Sequence, residues 1–391
     1  MEILLPAKTM SCKKCKGPST TVLRKSDWYC DDCVILNTNH KFRSCIGKNK
    51  ILSSNEKVMV CLSGGPGSAA MIDLVYSGIS LDNHKKLRIS PVALHIIDYE
   101  KYERCTSLVQ QCKKYNFDIH VAHISEYLKT NSKLPEKNLV PQVNNLMKNQ
   151  FNTMFTSSSA TGQNEVIKKI KRSLFIRYAN LLECTAIFTG ETTTTLATNL
   201  LTNLALGCGP HIEHDVGFCD KRNIKVIFRP MKDITKEELD HYIKYKKLLT
   251  IINNNEIKGN SLQSIIGVFV TDLQENFQAT VSTVCKIADK VGVQTRNRHK
   301  CVFCEVSGSK LFTEFAPVSP KHIRSRVPRS RYHKTQSLNK CTRCPTILPT
   351  LQVSLKIHSM LSLWKLKQNC HNCLSGPVTG CAVYIPGKLR L

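Results

Sequence analysis

The chain has 391 residues, with 56 Lys and Arg against 29 Asp and Glu, so its formal net charge is +27. Its hydrophobic fraction of 41% is enough for a packed core and excludes a wholly disordered or collagen-like chain. No apolar run reaches the roughly 18 residues that a membrane-spanning helix needs, and the first residues lack the pattern of a secretory signal. We therefore expect a soluble intracellular protein with no membrane partner. Its charge favours a polyanion, nucleic acid first, unless the excess is only a basic tail that binds nothing specific.

Cysteine spacing is the first specific pattern. Of the 19 cysteines, ten form five Cys-x-x-Cys pairs. The pairs are Cys12/Cys15, Cys30/Cys33, Cys301/Cys304, Cys341/Cys344 and Cys370/Cys373. In a chain without a secretory signal, this spacing indicates metal binding rather than a disulfide framework.

The first two pairs predict a zinc ribbon. Fourteen residues separate Cys15 from Cys30, which is enough for a short hairpin that brings four thiolates together. Four protein ligands leave no open position, so we expect a structural zinc rather than a catalytic one; four chance cysteines are the alternative. A basic segment follows. We predict that this segment contacts RNA phosphates through Lys41, Arg43, Lys48 and Lys50. The alternative is a solvated helix.

The middle of the chain alternates between predicted strands and helices. Short apolar runs predict strands at 57–62, 91–98, 119–124, 186–190 and 224–230. Helical spacing predicts helices at 69–76, 105–114, 165–184, 193–206, 236–247 and 268–291. The polar stretch at 130–160 is interpreted as a surface insertion. This order predicts a parallel sheet covered on both faces, with ligands beyond the carboxyl ends of its strands.

A glycine-rich loop lies between the first of these strands and its helix. It consists of Ser63, Gly64, Gly65, Pro66, Gly67 and Ser68. In that position successive backbone N–H groups and a helix N-terminus face an anion, so the loop is a candidate phosphate site. It lacks the Lys-Ser/Thr of a Walker A loop and the Rossmann fingerprint. The alternative is a turn in which glycine serves geometry alone.

The loop resembles the Ser-Gly-Gly-x-Asp-Ser pyrophosphate loop of ATP-dependent tRNA-thiolating enzymes and N-type ATP pyrophosphatases, with Gly67 in place of the acid. Further motifs follow in order, namely HKFRSCIGKNKIL, EKVMVCLSGGPGS, TGETTTTLATNLLTNLALG, RPMKDITKEEL and CVFC. Over about residues 10–305 the chain thus resembles the cytoplasmic tRNA 2-thiolation protein 2 family.

The resemblance implies an α/β fold of the adenine-nucleotide α-hydrolase type, a parallel five-stranded sheet with helices on both faces. It implies a cytoplasmic heterodimer with a catalytic thiolase subunit of similar fold. The complex would place sulfur on the wobble uridine of tRNA for Lys, Glu and Gln, giving 5-methoxycarbonylmethyl-2-thiouridine. The sulfur would come from a thiocarboxylated ubiquitin-related modifier.

The resemblance implies that the catalytic relatives carry an acid in the loop, a Gly-His-x-x-Asp-Asp segment and cysteines between the sheet strands. This chain has Gly67 in the loop, GETTTT from Gly190 onward, and no Cys within 168–177. Glu191 could replace a lost ligand, although an acid that stabilises the helix dipole is the simpler interpretation. We therefore predict no catalytic residues and a vestigial nucleotide site at Ser63, Gly64, Gly65, Gly67 and Ser68; whether ATP binds stays open.

The helix predicted at 165–184 is basic, and the resemblance suggests a role for it in tRNA binding. Its cations could follow the tRNA backbone, and the alternative is an ordinary solvated face. The predicted RNA-binding residues there are Lys168, Lys169, Lys171, Arg172 and Arg177.

The carboxyl-terminal region predicts a second zinc site. Cys301 and Cys304 would pair with Cys341 and Cys344, although Cys370/Cys373 and Cys381 are alternatives. No acidic residue follows Glu314, so this part is interpreted as a basic Cys-rich tail. We divide the chain into a ribbon and basic linker at 1–50, an α/β domain at 51–295 and the tail at 296–391.

Two other functions compete with a non-catalytic subunit. One is an active ATP-dependent tRNA sulfurtransferase that uses its own loop, Glu191 and a tail cysteine. The other is a zinc-ribbon nucleic-acid-binding protein with no role in thiolation.

Overall fold

The structure is a computed structural model that describes residues 10–288, except 24, 50–51, 53–54, 82–85, 99–101, 130–132, 156–157, 209–211 and 251–259. At the amino-terminal end a hairpin is followed by a long helix: β1 (Thr21–Leu23), β2 (Asp27–Tyr29) and α1 (Asp31–Lys48). Val22 pairs with Trp28 across the antiparallel hairpin. None of the helices within the described ranges is both long and apolar enough to cross a membrane.

The α/β part then alternates strands and helices, as its apolar runs predict. Its elements are β3 (Glu56–Leu62), α2 (Pro66–Ile79), β4 (Ile89–Ile97), α3 (Tyr102–Lys114), β5 (Ile119–His123), a 3-10 helix (Ile124–Leu128), α4 (Asn145–Thr153), α5 (Ala160–Leu181), β6 (Ala186–Thr189), α6 (Thr193–Ala205), α7 (Ile212–Val216), β7 (Cys219–Asp220), β8 (Val226–Phe228), α8 (Lys236–Lys246), α9 (Leu262–Asn276) and α10 (Gln278–Ala288).

The sheet has the strand order β5-β4-β3-β6-β8-β7. The first five strands are parallel, which confirms the predicted five-stranded parallel sheet. A sixth strand, the two-residue β7, pairs antiparallel with β8 and was not predicted. The central strands are buried because helices cover both faces; Val58, Leu94 and Phe188 are all fully buried. All five parallel strands end on the same side, which places the β3–α2 loop and the β6–α6 turn side by side.

Helix α2 is joined to two other helices by a buried carboxylate. Asp73 on α2 accepts hydrogen bonds from the Tyr115 hydroxyl (3.0 Å) at the end of α3 and from the Tyr242 hydroxyl (2.6 Å) of α8. Burial, followed by the charge of Asp73, raises the pKa of both phenols, so both remain donors. This contact fixes the helix that the glycine loop opens.

One predicted segment contains an element that was not predicted, and another differs from the structure. The stretch expected as a surface insertion at 130–160 contains α4, which Asn144 caps, and its Phe151 and Phe155 are buried. Over its described part, the single helix predicted at 268–291 is two helices, because α9 ends at Asn276 and Phe277 after it has a non-helical conformation. Because Phe277 is apolar, the hydrophobic spacing of the sequence continues across the break and does not reveal it.

Helix α1 is fastened to α8. The Lys41 ammonium donates to both carboxylate oxygens of Glu238, at 2.8 and 2.6 Å, and to the Asp233 carbonyl. Glu238 also completes the capping box of α8 with Thr235. The helix therefore packs on the α/β part rather than serving as a free linker. The division of the chain at residues 50 and 295 remains a prediction.

Candidate functional site

The glycine loop has the geometry of a phosphate loop. It follows β3 and opens α2, with Gly65 as N-cap and Pro66 at the first turn. Gly64 has φ +85°, a conformation that favours glycine. The Ser68 hydroxyl accepts from the Gly64 N–H (3.1 Å) and donates to the Gly65 carbonyl (2.9 Å). One serine side chain thus stabilises the backbone of the loop from within.

A cleft of about 530 Å³ lies beyond the carboxyl ends of the strands, where the fold predicts a ligand site. The glycine loop forms one wall and α5 another. The ends of β6 and β8 complete it with Glu191 and Arg229. The cations of α5 that line it are Lys168, Lys169, Lys171 and Arg172. The helix therefore turns these cations toward the loop.

Two glycines close one side of the cleft. A Cβ on Gly67 would lie 2.2 Å from the carbonyl oxygen of Gly190, and a Cβ on Gly190 would lie 2.8 Å from the carbonyl carbon of Gly67. Both contacts are backbone contacts that a flexible side chain cannot relieve. An acid at position 67, as in the catalytic loops, does not fit this backbone.

Glu191 lines the cleft at the β6–α6 turn, and its oxygens are engaged. Oε2 accepts from Arg229 Nε (2.6 Å) and from the Thr189 hydroxyl (3.1 Å). Oε1 accepts from the Asn199 amide (3.4 Å), whose own oxygen accepts from Lys168 (3.0 Å). A buried guanidinium therefore neutralises the carboxylate that was considered as a replacement for the missing loop acid.

A second ion-pair network forms the far end of the cleft. The buried Asp220 carboxylate accepts from Arg172 Nε (2.6 Å) and from Arg222 Nη2 (2.6 Å), and the same Nη2 donates to Asp215 (2.7 Å). Burial alone would raise the pKa of Asp220, but the two arginines outweigh it and hold that pKa well below its ordinary value. Apolar spacing did not mark Asp215, Asp220, Arg222 or Arg229 as site residues, because α7, β7 and β8 are too short to show a periodic pattern.

The predicted RNA-binding residues of α5 all make contacts inside the protein. Lys171 forms an ion pair with Asp98. Arg177 donates to the carbonyls of Glu126 (2.9 Å) and Lys129 (3.1 Å), at the end of the 3-10 helix. The structure thus brings Lys168, Lys169, Lys171 and Arg172 to the cleft and places Arg177 apart from them. Their role in RNA binding remains a prediction.

The basic residues predicted to contact RNA from α1 also lie in different environments. Lys41 is bound to Glu238, while Arg43 donates to the Asn39 carbonyl one turn before it (3.4 Å). Lys48 is exposed at the end of the helix. Lys50 lies outside the described residues.

The four amino-terminal cysteines come together as predicted. The sulfurs of Cys12, Cys15, Cys30 and Cys33 all lie within 4.8 Å of one another, and those of Cys15 and Cys30 are 3.6 Å apart. A tetrahedral zinc with bonds of about 2.3 Å requires sulfurs roughly 3.8 Å apart, so the set fits this metal. Among the described residues it is the only such group of metal-ligating side chains. Cys301, Cys304, Cys341 and Cys344, the predicted second site, lie outside the described residues.

The sequence is similar to known proteins that share one name. A family model described as cytoplasmic tRNA 2-thiolation protein 2 matches residues 261–375, which reaches past the motifs that ended near 305. The Aedes aegypti protein of that name is 29% identical over 72% of this chain and 66% of its own length. The Anopheles gambiae protein is 26% identical over 83% of this chain and 81% of its own length.

A solved structure supports the fold. The U34-tRNA thiolase NcsA from Methanococcus maripaludis, determined with its 4Fe-4S cluster, superposes with a TM-score of 0.59 at 18% identity. The match covers 77% of this chain and 93% of the thiolase. This likeness confirms the predicted α/β fold class. The chain is thus similar in sequence to proteins named cytoplasmic tRNA 2-thiolation protein 2 and similar in fold to a tRNA thiolase.

Proposed function

We propose that this chain is a non-catalytic, tRNA-binding subunit of a cytoplasmic complex that 2-thiolates tRNA. The observation that carries the proposal is the state of the cleft: Gly67 lies against Gly190, and Glu191 is held by Arg229. The compartment follows from the name shared by the relatives.

Catalysis of thiolation would require specific groups in the cleft. The oxygen on C2 of uridine must be activated, which requires ATP and ligands for its magnesium ion. In the cleft the loop offers backbone N–H groups but no acid, and Glu191 already has a cationic partner. The loop at Ser63, Gly64, Gly65, Gly67 and Ser68 is thus suited to hold an anion without supplying a metal site.

Sulfur transfer also requires a reactive thiolate. Cys61 lines the cleft at the end of β3. Burial first, and then proximity to Cys184 and Glu191, raises its pKa well above the ordinary thiol value. A thiol that stays protonated is a poor nucleophile, which argues against Cys61 as a sulfur carrier.

The remaining elements of the proposal come from the family resemblance. The partner would be a catalytic thiolase subunit, the target the wobble uridine of tRNA for Lys, Glu and Gln, and the sulfur source a thiocarboxylated ubiquitin-related modifier. The net charge of +27 suits a subunit that binds tRNA. The Cys12/Cys15/Cys30/Cys33 cluster would hold a structural zinc.

The test is mass spectrometry of tRNA from cells depleted of this protein and rescued with wild type or Glu191→Gln. The variant keeps an oxygen for Arg229 but cannot serve as an anionic metal ligand. Loss of 2-thiouridine on depletion, restored by both forms at equal protein level, is the expected result. Rescue by wild type alone would favour an active sulfurtransferase. Unchanged thiolation after depletion would overturn the proposal and leave a zinc-ribbon protein with another task.

A further inference from the structure

The amino-terminal hairpin has an apolar residue pair on the face that its core does not use. Leu23 and Tyr29 turn toward α1 and line a hollow with Val34. Side chains alternate along a strand, so Val22 and Trp28 point to the opposite face, where they sit directly across from each other. Each is 37% exposed. Because the inner face already packs on α1, the exposed indole has no evident task in the core of the ribbon.

The backbone beneath Trp28 is held firmly. The Trp28 carbonyl accepts from the Lys13 N–H (2.8 Å) of the first cysteine turn, and the next carbonyl, that of Tyr29, accepts from Thr20 (2.9 Å). Cys30, a predicted zinc ligand, follows two residues after Trp28. The indole is thus presented on a rigid support between the two cysteine turns.

The two turns next to Trp28 carry exposed cations. Lys16 is exposed on the first cysteine turn, whose Lys13 N–H bonds the Trp28 carbonyl, and Lys25 is exposed on the hairpin turn. Lys14 instead lines the hollow on the α1 side. Asp27 is the single acid within residues 10–30, and it is paired with Lys13 at 2.7 Å. An aromatic ring flanked by exposed lysines is the arrangement that binds an unstacked base and its phosphates.

A protein partner suits this surface less well. The apolar part consists of two side chains, whereas stable protein interfaces bury about 800 Å² on each partner. The cores of protein interfaces are also depleted in lysine, which is the main charged residue here. The chemistry therefore favours RNA.

We infer that Trp28 is a base-stacking platform for a single-stranded part of an RNA ligand, with Lys16 and Lys25 on the adjoining phosphates. Two extended strands and a zinc-binding turn would hold the ring in place. The inference rests on the proposed tRNA-binding function and adds to it a second RNA contact at the amino-terminal ribbon, apart from the cleft.

The experiment uses the full chain with Trp364→Phe, which leaves Trp28 as its single tryptophan. Unmodified tRNA is titrated while the indole fluorescence and the binding isotherm are recorded together. Stacking quenches the fluorescence. Trp28→Ala should weaken binding by about tenfold, the range for loss of one stacked base, while Trp28→Phe, which keeps a flat ring, should retain most of the affinity. Metal content measured on each variant verifies that the ribbon is folded.

Phe269→Ala is the matched control, since it removes an exposed aromatic ring from α9 and should leave RNA binding unchanged. Binding of tRNA with no quenching, and equal affinity in Trp28→Ala, would overturn this inference while the proposed function stands. Absence of any tRNA binding would overturn both. A Trp28 signal that responds to a protein subunit and not to RNA would instead assign the face to a protein partner.

Discussion

Gly67 and Gly190, 123 positions apart, meet backbone to backbone, and a Cβ on Gly67 would lie 2.2 Å from the Gly190 carbonyl oxygen. The first opens α2 and the second follows β6, so their contact joins the two turns that enclose the cleft. Any side chain at either position has to displace a main chain at the end of a central strand. The contact therefore decides which chemistry the loop can carry.

Gly67→Ala should lower the free energy of unfolding by about 1–3 kcal/mol, the usual cost of overpacking. Urea unfolding monitored by circular dichroism measures it. Gly47→Ala is the matched control, because no atom lies within 4 Å of its Cβ position and alanine favours a helix by roughly 0.5–1 kcal/mol. Equal stability of Gly67→Ala and wild type would contradict the predicted clash. Gly67→Asp should likewise not restore ATP-dependent pyrophosphate release.

The pair between Glu191 and Arg229 should have a measurable coupling energy. The side chain of Arg229 is 6% exposed and that of Glu191 25%, so we expect about 2 kcal/mol, below the usual cost of breaking a fully buried pair. A double-mutant cycle of Arg229→Met and Glu191→Gln measures it. The exposed pair Lys13–Asp27 serves as reference and should couple by less than about 1 kcal/mol. A coupling at Glu191–Arg229 no larger than that reference would refute the prediction.

His95 predicts a pH dependence of stability. It is buried at the end of β4, and its Nδ1 hydrogen-bonds the Leu62 carbonyl (2.8 Å). Burial lowers its pKa despite the opposing effects of that carbonyl and of Asp98, while Lys171 lowers it further. The folded state thus binds a proton less readily than the unfolded state, whose histidine pKa is about 6.5. Stability should be fully present above that pH and fall as the pH drops below it.

Unfolding free energies between about pH 7.5 and 5 test this. His95→Gln should flatten the slope by at most about 1.4 kcal/mol per pH unit, the contribution of one proton. Part of the slope should remain, because burial also lowers the pKa of His123 and His214. His40→Gln, at an exposed position of α1, is the control. An unchanged slope in His95→Gln would mean that this imidazole does not contribute.

Removal of one cysteine should release one metal ion. Cys30→Ser leaves three thiolates, so the purified protein should hold one zinc equivalent fewer than wild type. The hairpin should become susceptible to proteolysis. The circular-dichroism signal of the helices in the α/β part should stay unchanged. Atomic emission and limited proteolysis provide the readouts. Cys219→Ser, outside the cluster, should leave the metal content unaltered. An undiminished zinc content in Cys30→Ser would exclude the cluster as a metal site.

The sequence predicted those parts of the fold and the site that are formed by residues close together along the chain. Continuous apolar runs marked the five parallel strands, Cys-x-x-Cys spacing marked the sulfur cluster, and the strand–glycine–helix order marked the loop. The spacing also placed the cations of α5 on a helix, but it could not show that Lys168 and Arg172 face the cleft. Both are adjacent to residues of other elements, Asn199 and Asp220.

The rest of the site depends on contacts between distant segments. Arg229 meets Glu191 because β8 lies beside β6, an order that no local pattern specifies. Asp220 belongs to a two-residue strand too short to show alternation. The break between α9 and α10 occurs at Phe277, whose apolar side chain continues the helical spacing. Apolar spacing indicates which kind of element forms, but it does not show which segments lie side by side or where a helix ends.

Glu238 contributes to the capping box of α8 and accepts the Lys41 ammonium from α1, so one carboxylate ties the helix that follows the hairpin to the helix beside the sheet. The hairpin is consequently not a tethered module that searches for its ligand at the end of a flexible linker. Two RNA contacts, one at the hairpin and one at the cleft, would be preorganised at a set separation. Binding at the first would then raise the effective concentration of RNA at the second without an entropic penalty for ordering a linker.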